Sequence, residues 1–226
     1  MFRKLLQVFT GLGVVGVFTV FLLTIPLLRR LPKPGRVSID GITTIDDAVE
    51  ACRRTHLQGW DLVAHAQDLA ARKFTYSRLN TWDTPSRAFE RGMGYCEQQA
   101  LALKKIYDRL GIETRPVFVL RCRFPAKVVD GMPSPGGVSG HAWLRVRIGD
   151  EELDVCSGSV NNRPGVTQFE ILSTVRTWQP WLRPFTHLGS SIENIRRDMM
   201  ASRGLKGAVR SPIDTRGHLE ASAQPA

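Results

Sequence analysis

The 226-residue sequence predicts an α+β domain behind an apolar N-terminal segment. Apolar residues between about positions 45 and 110 recur at the three- and four-residue spacing of amphipathic helices. Beyond Gly111 they alternate with polar residues, which is the period of a strand with one buried face. A helical half followed by a strand-rich half, with 42% hydrophobic residues, is typical of a globular α+β domain with its own core.

Residues 1–30 are predicted to form a membrane anchor. The segment from Leu5 to Leu28 carries no charged residue, and a helix of that length, at about 1.5 Å per residue, crosses a hydrocarbon core of roughly 30 Å. RRLPKP follows it in place of the small residues of a signal-peptidase site. An uncleaved single span is therefore favoured over a cleaved signal peptide or a buried soluble helix.

The charge distribution argues against a nucleic-acid partner, and it does not determine on which side of the membrane the C-terminal domain lies. The net charge is +10, but Lys and Arg are dispersed and form no basic stripe interleaved with aromatic residues, so no nucleic-acid partner is predicted. An anionic membrane surface accounts for the basic balance at least as well. Two basic residues precede the apolar segment and four follow it, so the positive-inside rule only weakly favours an internal C-terminal domain.

The domain is predicted to span residues 41–201, between a Pro/Gly linker at 31–40 and a flexible tail at 202–226. Two helices open it: TTIDDAVEACRR has Thr and Asp in capping positions, and GWDLVAHAQDLAARK has apolar residues at helical spacing. A turn-rich stretch without periodicity leads to Cys96. A third helix begins there and ends before Gly111, a residue typical of the position just past a helix.

Three strands are predicted after this helix, at 115–124, 141–148 and 151–156. Gly149 and Asp150 suit a tight turn, so we expect the last two strands to form an antiparallel hairpin. The residues from Pro125 to Gly140, between the first two strands, are dense in Gly and Pro and are predicted to form a loop. This loop is the candidate for a substrate lid, with ordinary surface disorder as the alternative.

Cys96 lies in RGMGYCEQQALALKK, behind two glycines and at the start of the third helix. The free N–H groups and the positive dipole end at a helix N-terminus stabilise a thiolate, which is the nucleophilic form of cysteine. On the helix alone a buried packing thiol is the commoner interpretation, because free cysteine is among the most often buried residues. A nucleophile also needs a base, and the base needs an orienting group.

His141 and Asp154 are the candidates for those two groups. The apolar residues that alternate along the second predicted strand place His141 on the opposite face, and Leu153 and Val155 do the same for Asp154 on the third. With an even-numbered turn the two polar faces coincide, so imidazole and carboxylate can share one side of the hairpin. Cys96 would then be the nucleophile, His141 the general base and acid, and Asp154 the group that orients the imidazole.

The register of this hairpin is the weak step. A strict two-residue turn sets Asp154 opposite Arg145, four residues short of His141 and about 13 Å away at strand spacing. A wider loop or a bulge would have to shift the register for imidazole and carboxylate to touch.

Three motifs resemble the bacterial transglutaminase-like superfamily: G-x-C-x-x-x-A at Gly94 to Ala100, G-H-A-W-x-x-V at Gly140 to Val146, and L-D-V at Leu153 to Val155. The resemblance covers about Asp46 to Gly158. It implies a papain-like/transglutaminase-like core, in which a helix carrying Cys packs on an antiparallel sheet carrying His and Asp. The N-terminal transmembrane helix predicted above lies outside the resemblance. Carried over by position, the resemblance implies a triad of Cys96, His141 and Asp154.

The resemblance implies an enzyme with cysteine-dependent acyl chemistry on a peptide or protein substrate. The apolar N-terminal segment adds the expectation that this enzyme is anchored by a single span in a bacterial cell membrane. Hydrolysis of peptide or isopeptide amides, amide transfer and leader-peptide cleavage all stay open. The alternative from another class is a non-catalytic, membrane-tethered module of the same fold that binds a peptide or a partner protein. An intact triad argues against that alternative.

No cofactor and no metal are predicted. The four cysteines, at positions 52, 96, 122 and 156, have no C-x-x-C spacing, and a zinc site of Cys96, His141 and Cys156 has no clear fourth ligand. Cys122 and Cys156 are expected to be buried strand residues. An oxyanion hole would use the Cys96 backbone N–H and one side-chain donor, for which Trp82 and Gln98 are candidates.

Overall fold

The computed structural model of the chain describes residues 35–129, 132–134 and 136–192, and six single positions between 13 and 22. The predicted tail at 202–226 and nearly all of the predicted anchor at 1–30 lie outside these residues. Among the described residues, no helix has the length and apolar content needed to cross a membrane.

The helices that precede the main sheet are α1 (Ile45–Arg54), α2 (Gly59–Lys73), α3 (Pro85–Arg91) and α4 (Cys96–Leu110). Thr44 caps α1 in a capping box: its side chain accepts the backbone N–H of Asp47 at 3.1 Å, and the Asp47 carboxylate accepts that of Thr44 at 2.8 Å. Helix α4 ends at Gly111, whose φ of 74° is favourable only for glycine. The predicted third helix is confirmed.

The stretch before Cys96 was predicted to be turn-rich, and it contains α3 instead. The side chain of Thr84 caps α3 and Pro85 occupies its first turn. The turn at Gly92 brings β2 (Met93–Gly94) alongside β1 (Thr75–Tyr76), and the two form a short parallel pair. Gly92 has a φ of 64°, and a Cβ there would lie 2.9 Å from the carbonyl oxygen of Lys73, so only glycine fits.

The remaining strands are β3 (Glu113–Phe124), β4 (Lys127–Val129), β5 (Met132–Ser134), β6 (Gly137–Ile148), β7 (Glu151–Val155), β8 (Glu170–Ile171) and β9 (Arg176–Thr177). The main sheet is antiparallel in the order β7-β6-β3-β8, and β9 also pairs with β3. After a 3₁₀ turn at Pro180–Leu182, residues 183–192 are helical. The predicted α+β class and the β6–β7 hairpin are confirmed.

The loop predicted from Pro125 to Gly140 is wrong in part. β6 begins at Gly137, opposite Phe124 at the end of β3, and the chain between them forms the small hairpin of β4 and β5. The composition of residues 137–140 alone suggests a loop, because the stretch is rich in glycine. Backbone pairing with β3 nevertheless makes these residues the first part of strand β6. The connection is therefore a continuation of the sheet with a hairpin at its end.

The sheet has a buried layer on each face. The α-helices pack on the face that carries Leu144, Val146 and Val155. The other face carries a smaller cluster of buried residues, Val117, Val119, Cys122, Trp143 and Cys156, with Phe124 and Phe169 packed against it. This alternation along β6 is the one the sequence predicts, and it assigns His141 and Trp143 to the smaller cluster.

Candidate active site

A cleft of about 490 Å³ opens where the start of α4 meets the N-terminal half of β6. Cys96 and Gln99 of α4 line it on one side and His141 of β6 on another. The segment after β7, from Cys156 to Asn162, lines a third side. The described ends of the predicted lid, Pro125 to Ala126 and Gly136 to Gly140, border the same cleft, as does Phe124 at the end of β3. Its role as a lid stays a prediction.

Cys96 is the first residue of α4, so its sulfur lies at the N-terminal end of a 15-residue helix. Gly94, two residues before it, is required by packing, because a Cβ there would lie 3.2 Å from the Gln98 side chain and 3.3 Å from that of Phe74. The glycines ahead of Cys96 therefore set the tight turn and the close contact of the chain with α4.

The Cys96 thiol is half-buried, and burial raises its pKa. The backbone N–H groups of Ala142 and Glu97 and the Arg78 guanidinium act in the opposite direction, while the Glu97 charge adds to the rise. β7 pairs with β6 only from Leu144 to Ile148, which leaves the β6 backbone at Ala142 open to the cysteine on that edge. The raised pKa favours the neutral thiol of Cys96.

His141 lies on β6 opposite Val119, at the point where β3 bulges. The bulge falls between Val119 and Cys122, and bulges of this kind re-aim neighbouring side chains. The imidazole is buried among aromatic rings, with centroids 4.6 Å from Phe169, 5.0 Å from Phe124 and 5.7 Å from Trp143. The ring is thus held in one orientation by packing on three sides.

The structure does not bring Asp154 to His141. Asp154 lies opposite Arg145 in the ladder, and its carboxylate accepts the Arg145 Nε–H at 2.9 Å. The tight turn at Gly149 and Asp150 sets the register of β6 against β7, and among the described residues this ladder has no bulge that would shift it. The bulge in this sheet lies instead between β3 and β6. The sequence-based placement of Asp154 beside the imidazole is corrected on this point.

Cys156 occupies the place beside His141 that the triad assigns to a carboxylate. The Cys156 sulfur lies 3.4 Å from His141 Nε2, and the backbone N–H of Gly158 donates to the same sulfur at 3.4 Å. Its carbonyl oxygen accepts from the side chains of Gln67 at 3.0 Å and Asn162 at 2.8 Å. These two buried amides fix the chain just past β7, so the sulfur is positioned against the imidazole.

Neither predicted oxyanion donor is aimed at Cys96. The Gln98 amide donates to the backbone carbonyls of Asn80 and Asp83, both at 2.9 Å, and the Trp82 indole donates to Ser191 Oγ at 3.1 Å. Both side chains organise the loop before α3. Arg78 lines the cleft, and its positive charge acts to lower the pKa of the Cys96 thiol.

Glu97, next to Cys96, is buried and binds the C-terminal segment. Its carboxylate accepts from Thr186 Oγ1 at 2.5 Å and lies 3.8 Å from Arg183 Nε and 3.9 Å from His187 Nε2. Burial raises the pKa of Glu97 and lowers that of His187 to about 4, so the imidazole contact is one of a neutral ring at pH 7. The helix at 183–192 is thereby fixed to the residue beside the cysteine.

Cys156 could have been found from the sequence, since a two-residue turn at Gly149 and Asp150 places it on the same face as His141. It is then opposite Trp143 and diagonal to His141, a neighbour at roughly 7–8 Å between backbones. Arg78 lies on an irregular loop, and no periodicity or motif indicates it. Within the part of the chain that the structure describes, no group of three or more His, Cys, Asp or Glu could hold a metal ion.

Comparison with known proteins gives only weak structural similarity. No protein-family model matches the chain, and no curated protein matches it. The chain is similar to the crystal structure of a "putative cysteine protease" from Cytophaga hutchinsonii, at a TM-score of 0.37 and 14% identity over 69% of this chain and 53% of that one. It thus spans about half the length of that protein, and at this TM-score the similarity says nothing about activity.

Proposed function

We propose that the domain is a cysteine-dependent acyl-transfer enzyme, with Cys96 as nucleophile and His141 as general base and acid. The observation that carries this proposal is the meeting of the α4 N-terminus and the β6 imidazole at one cleft of about 490 Å³. The cleft has the size of a small-molecule or peptide site. The finer assignment, a transglutaminase-like enzyme acting on peptide or isopeptide amides, rests on the sequence motifs, and its anchoring in a membrane rests on the uncharged segment from Leu5 to Leu28.

The chemistry needs two half-reactions. His141 takes the Cys96 proton as the sulfur attacks the amide carbonyl carbon, and the tetrahedral oxyanion is stabilised by the Cys96 backbone N–H and Arg78. The C–N bond then breaks, the leaving amine takes the proton from His141, and a thioester remains on Cys96. Water, or an amine, attacks the thioester with His141 again as base, which releases the acid or the new amide and restores the thiol.

Cys156 replaces Asp154 as the residue that orients His141 in this proposal. Because Nε2 contacts the Cys156 sulfur at 3.4 Å, we assign proton exchange with Cys96 to Nδ1. A thiol is a weaker hydrogen-bonding partner than a carboxylate. The imidazolium formed during catalysis is therefore stabilised less than in a Cys-His-Asp triad, and the enzyme is expected to be slow with unactivated amides.

The second candidate is the membrane-tethered module that binds a peptide or protein without reaction. One observation favours it: burial raises the Cys96 pKa, so the free protein does not hold a thiolate at neutral pH. The two functions differ in whether an acyl group is ever carried on Cys96.

The experiment that tests the proposal is a burst assay on the full-length chain in detergent micelles. N-acetylated amino acid p-nitrophenyl esters are activated acyl donors, and we expect a burst of one p-nitrophenolate per chain followed by slower turnover. Mass spectrometry of the quenched protein should locate the acyl group on the peptide that contains Cys96. A cleft that binds peptides but gives neither burst nor adduct would establish the binding module instead.

Replacing Cys156 with Asp is expected to raise the acylation rate about tenfold or more, because a charged hydrogen bond to the imidazole is stronger than one to a thiol. The Gly158 N–H that donates to the sulfur would donate to the carboxylate. Cys156→Asn has the same shape without the charge and is the matched control. The measurement is the burst rate with each variant, and an Asp variant no faster than the Asn variant would contradict the assignment of Cys156.

Replacing Asp154 with Asn is expected to change the burst rate by no more than about twofold, since its carboxylate pairs with Arg145 and both are partly exposed. Glu152→Gln is the control. Glu152 lies on the same strand as Asp154, and its carboxylate forms a similar ion pair with Arg115 of β3. Both variants should lose at most about 1 kcal/mol in the free energy of unfolding. A hundredfold loss of rate in Asp154→Asn alone would restore Asp154 to the triad.

A further inference from the structure

The helix at 183–192 presents an apolar stripe to solvent. Along this helix and the turn before it, the apolar residues recur at i, i+3, i+4, i+7 and i+11: Trp181, Pro184, Phe185, Leu188 and Ile192. This spacing is that of one face of an amphipathic helix. Trp181 is 65% exposed, Phe185 66% and Ile192 49%, and the rings of the first two lie edge to face at 6.3 Å.

The polar face of the same helix is the one that packs inward. His187 and Ser191 are buried, Thr186 donates to Glu97, and Ser191 accepts the Trp82 indole N–H. A surface helix normally buries its apolar stripe and exposes its polar residues. This helix does the reverse, so its stripe is available for a second surface.

The helix that carries the stripe contacts the domain about the length of α3 away from the point at which the N-terminal segment joins it. Backbone N–H of Val37 donates to the Glu90 carbonyl at 2.9 Å, near the C-terminal end of α3. Trp82, which contacts the 183–192 helix, lies just before the other end of α3. Helix α3 has seven residues and is therefore about 10 Å long.

The chain outside the domain limits how far this surface can be from a bilayer. From Leu28, the last residue of the predicted span, to Gly35 there are seven residue steps, which reach at most about 25 Å when fully extended. In an anchored chain Gly35 thus lies within about 25 Å of the hydrocarbon core, which lets the surface of the domain reach the headgroup region. Trp and Phe are side chains that enter this interface readily.

The sequence segments before and after the described domain are rich in positive charge, which favours binding to an anionic lipid surface. The segment 29–36 carries four Lys or Arg residues and no acid. The segment 193–210, which follows the stripe, carries five basic and two acidic residues. Basic clusters next to a membrane are attracted to anionic lipid headgroups.

We propose that the Trp181–Ile192 stripe is a membrane-contact surface that binds the headgroup region of a bilayer containing anionic lipid. This contact would fix the orientation of the cleft relative to the bilayer. The proposal depends on the N-terminal anchor that the sequence predicts and is independent of the chemistry at Cys96. An apolar stripe beside a short basic tether favours lipid over a second copy of the chain, which would bury the stripe without using the positive charge.

Tryptophan quenching by brominated lipids tests this contact. The full-length chain is reconstituted in phosphatidylcholine/phosphatidylglycerol vesicles, with acyl chains either unmodified or brominated near the headgroup. All five tryptophans, at 60, 82, 143, 178 and 181, lie after the predicted span, so lipid quenching reports the domain alone. Trp181→Phe should lose roughly half or more of the quenching. Trp178→Phe, which removes a tryptophan that is 9% exposed, should keep it.

Further measurements decide whether the stripe binds lipid or a second copy of the chain. Phe185→Glu should reduce the quenching of Trp181 several-fold while leaving the ester burst unchanged, since it changes only the exposed face. Vesicles without phosphatidylglycerol should also show weaker quenching. Equal quenching in wild type and Trp181→Phe would overturn the proposal, as would a Phe185→Cys variant that cross-links to a second copy in place of contacting lipid.

Discussion

Replacing Cys96 with alanine is expected to abolish the ester burst and to lower turnover by about 10⁴-fold or more, the scale of loss when an enzyme's nucleophile is removed. The physical reason is that no other thiol combines the N-terminal end of a helix, contact with the cleft and the field of Arg78. The measurement is p-nitrophenolate release together with the intact mass of the quenched protein. Only the unsubstituted chain should carry the acyl group.

Cys52→Ala is the matched control for this experiment. Cys52 is a buried thiol of α1, outside the cleft lining, and burial raises its pKa to about 11. Its replacement should leave the burst at one equivalent per chain. An acyl group found on Cys156 in the Cys96→Ala variant would transfer the role of nucleophile to the second cysteine of the cleft.

The pH dependence of Cys96 alkylation follows from the direction of its pKa shift. Burial disfavours the thiolate, so the fraction of thiolate at neutral pH is below that of an ordinary thiol, and it grows as the pH rises through the raised pKa. Iodoacetamide should therefore react slowly with the free protein at pH 7 and progressively faster above pH 9. The contrast between slow alkylation and a fast acyl burst would indicate that His141 removes the proton within the substrate complex.

The helix that begins at Cys96 and the strand that carries His141 are predictable because their signals are local. The apolar spacing after Cys96, the stop at Gly111 and the alternation from Ala142 to Ile148 each describe one element without knowledge of its neighbours. The meeting of Cys96 and His141 at one cleft adds a single long-range step, and the packing of α4 on β6 provides it. Their catalytic roles stay a prediction.

The third residue of the site depends on register, and the motif and the turn chemistry disagree about it. The L-D-V motif points to Asp154, whereas Gly149 and Asp150 are typical of a two-residue turn, which sets Asp154 against Arg145. The turn determines the pairing because each of its residues constrains the backbone directly. The same register places Cys156 on the side of the sheet with His141.

The role of the C-terminal segment could not be read locally. Glu97 has the sequence context of a solvated residue in a first helical turn, where a carboxylate is favoured by the dipole. It is buried only because the 183–192 helix, more than 80 residues later, covers it with Thr186 and His187. The amphipathic stripe was likewise hidden, since an apolar face predicts burial until the packed structure shows which side faces inward.

Replacing His141 with alanine is expected to lower the acylation rate by about 10²- to 10⁴-fold, the usual contribution of general acid–base catalysis. The effect should be larger with amides than with p-nitrophenyl esters, because an amide leaving group must receive a proton from the imidazole and p-nitrophenolate leaves without one. The measurement is the pair of rates on matched ester and anilide donors. His65→Ala, a change on α2 outside the cleft lining, is the control.

Added imidazole separates a catalytic role for His141 from a structural one. The ring is buried among Phe124, Phe169 and Trp143, so its removal leaves a cavity in which free imidazole can bind. Partial recovery of the rate in His141→Ala with imidazole, increasing with the fraction of neutral base, would identify proton transfer as the missing step. If the variant keeps the wild-type preference between ester and anilide, the general-base assignment is wrong, and the binding module becomes the better account of the Cys96 cleft.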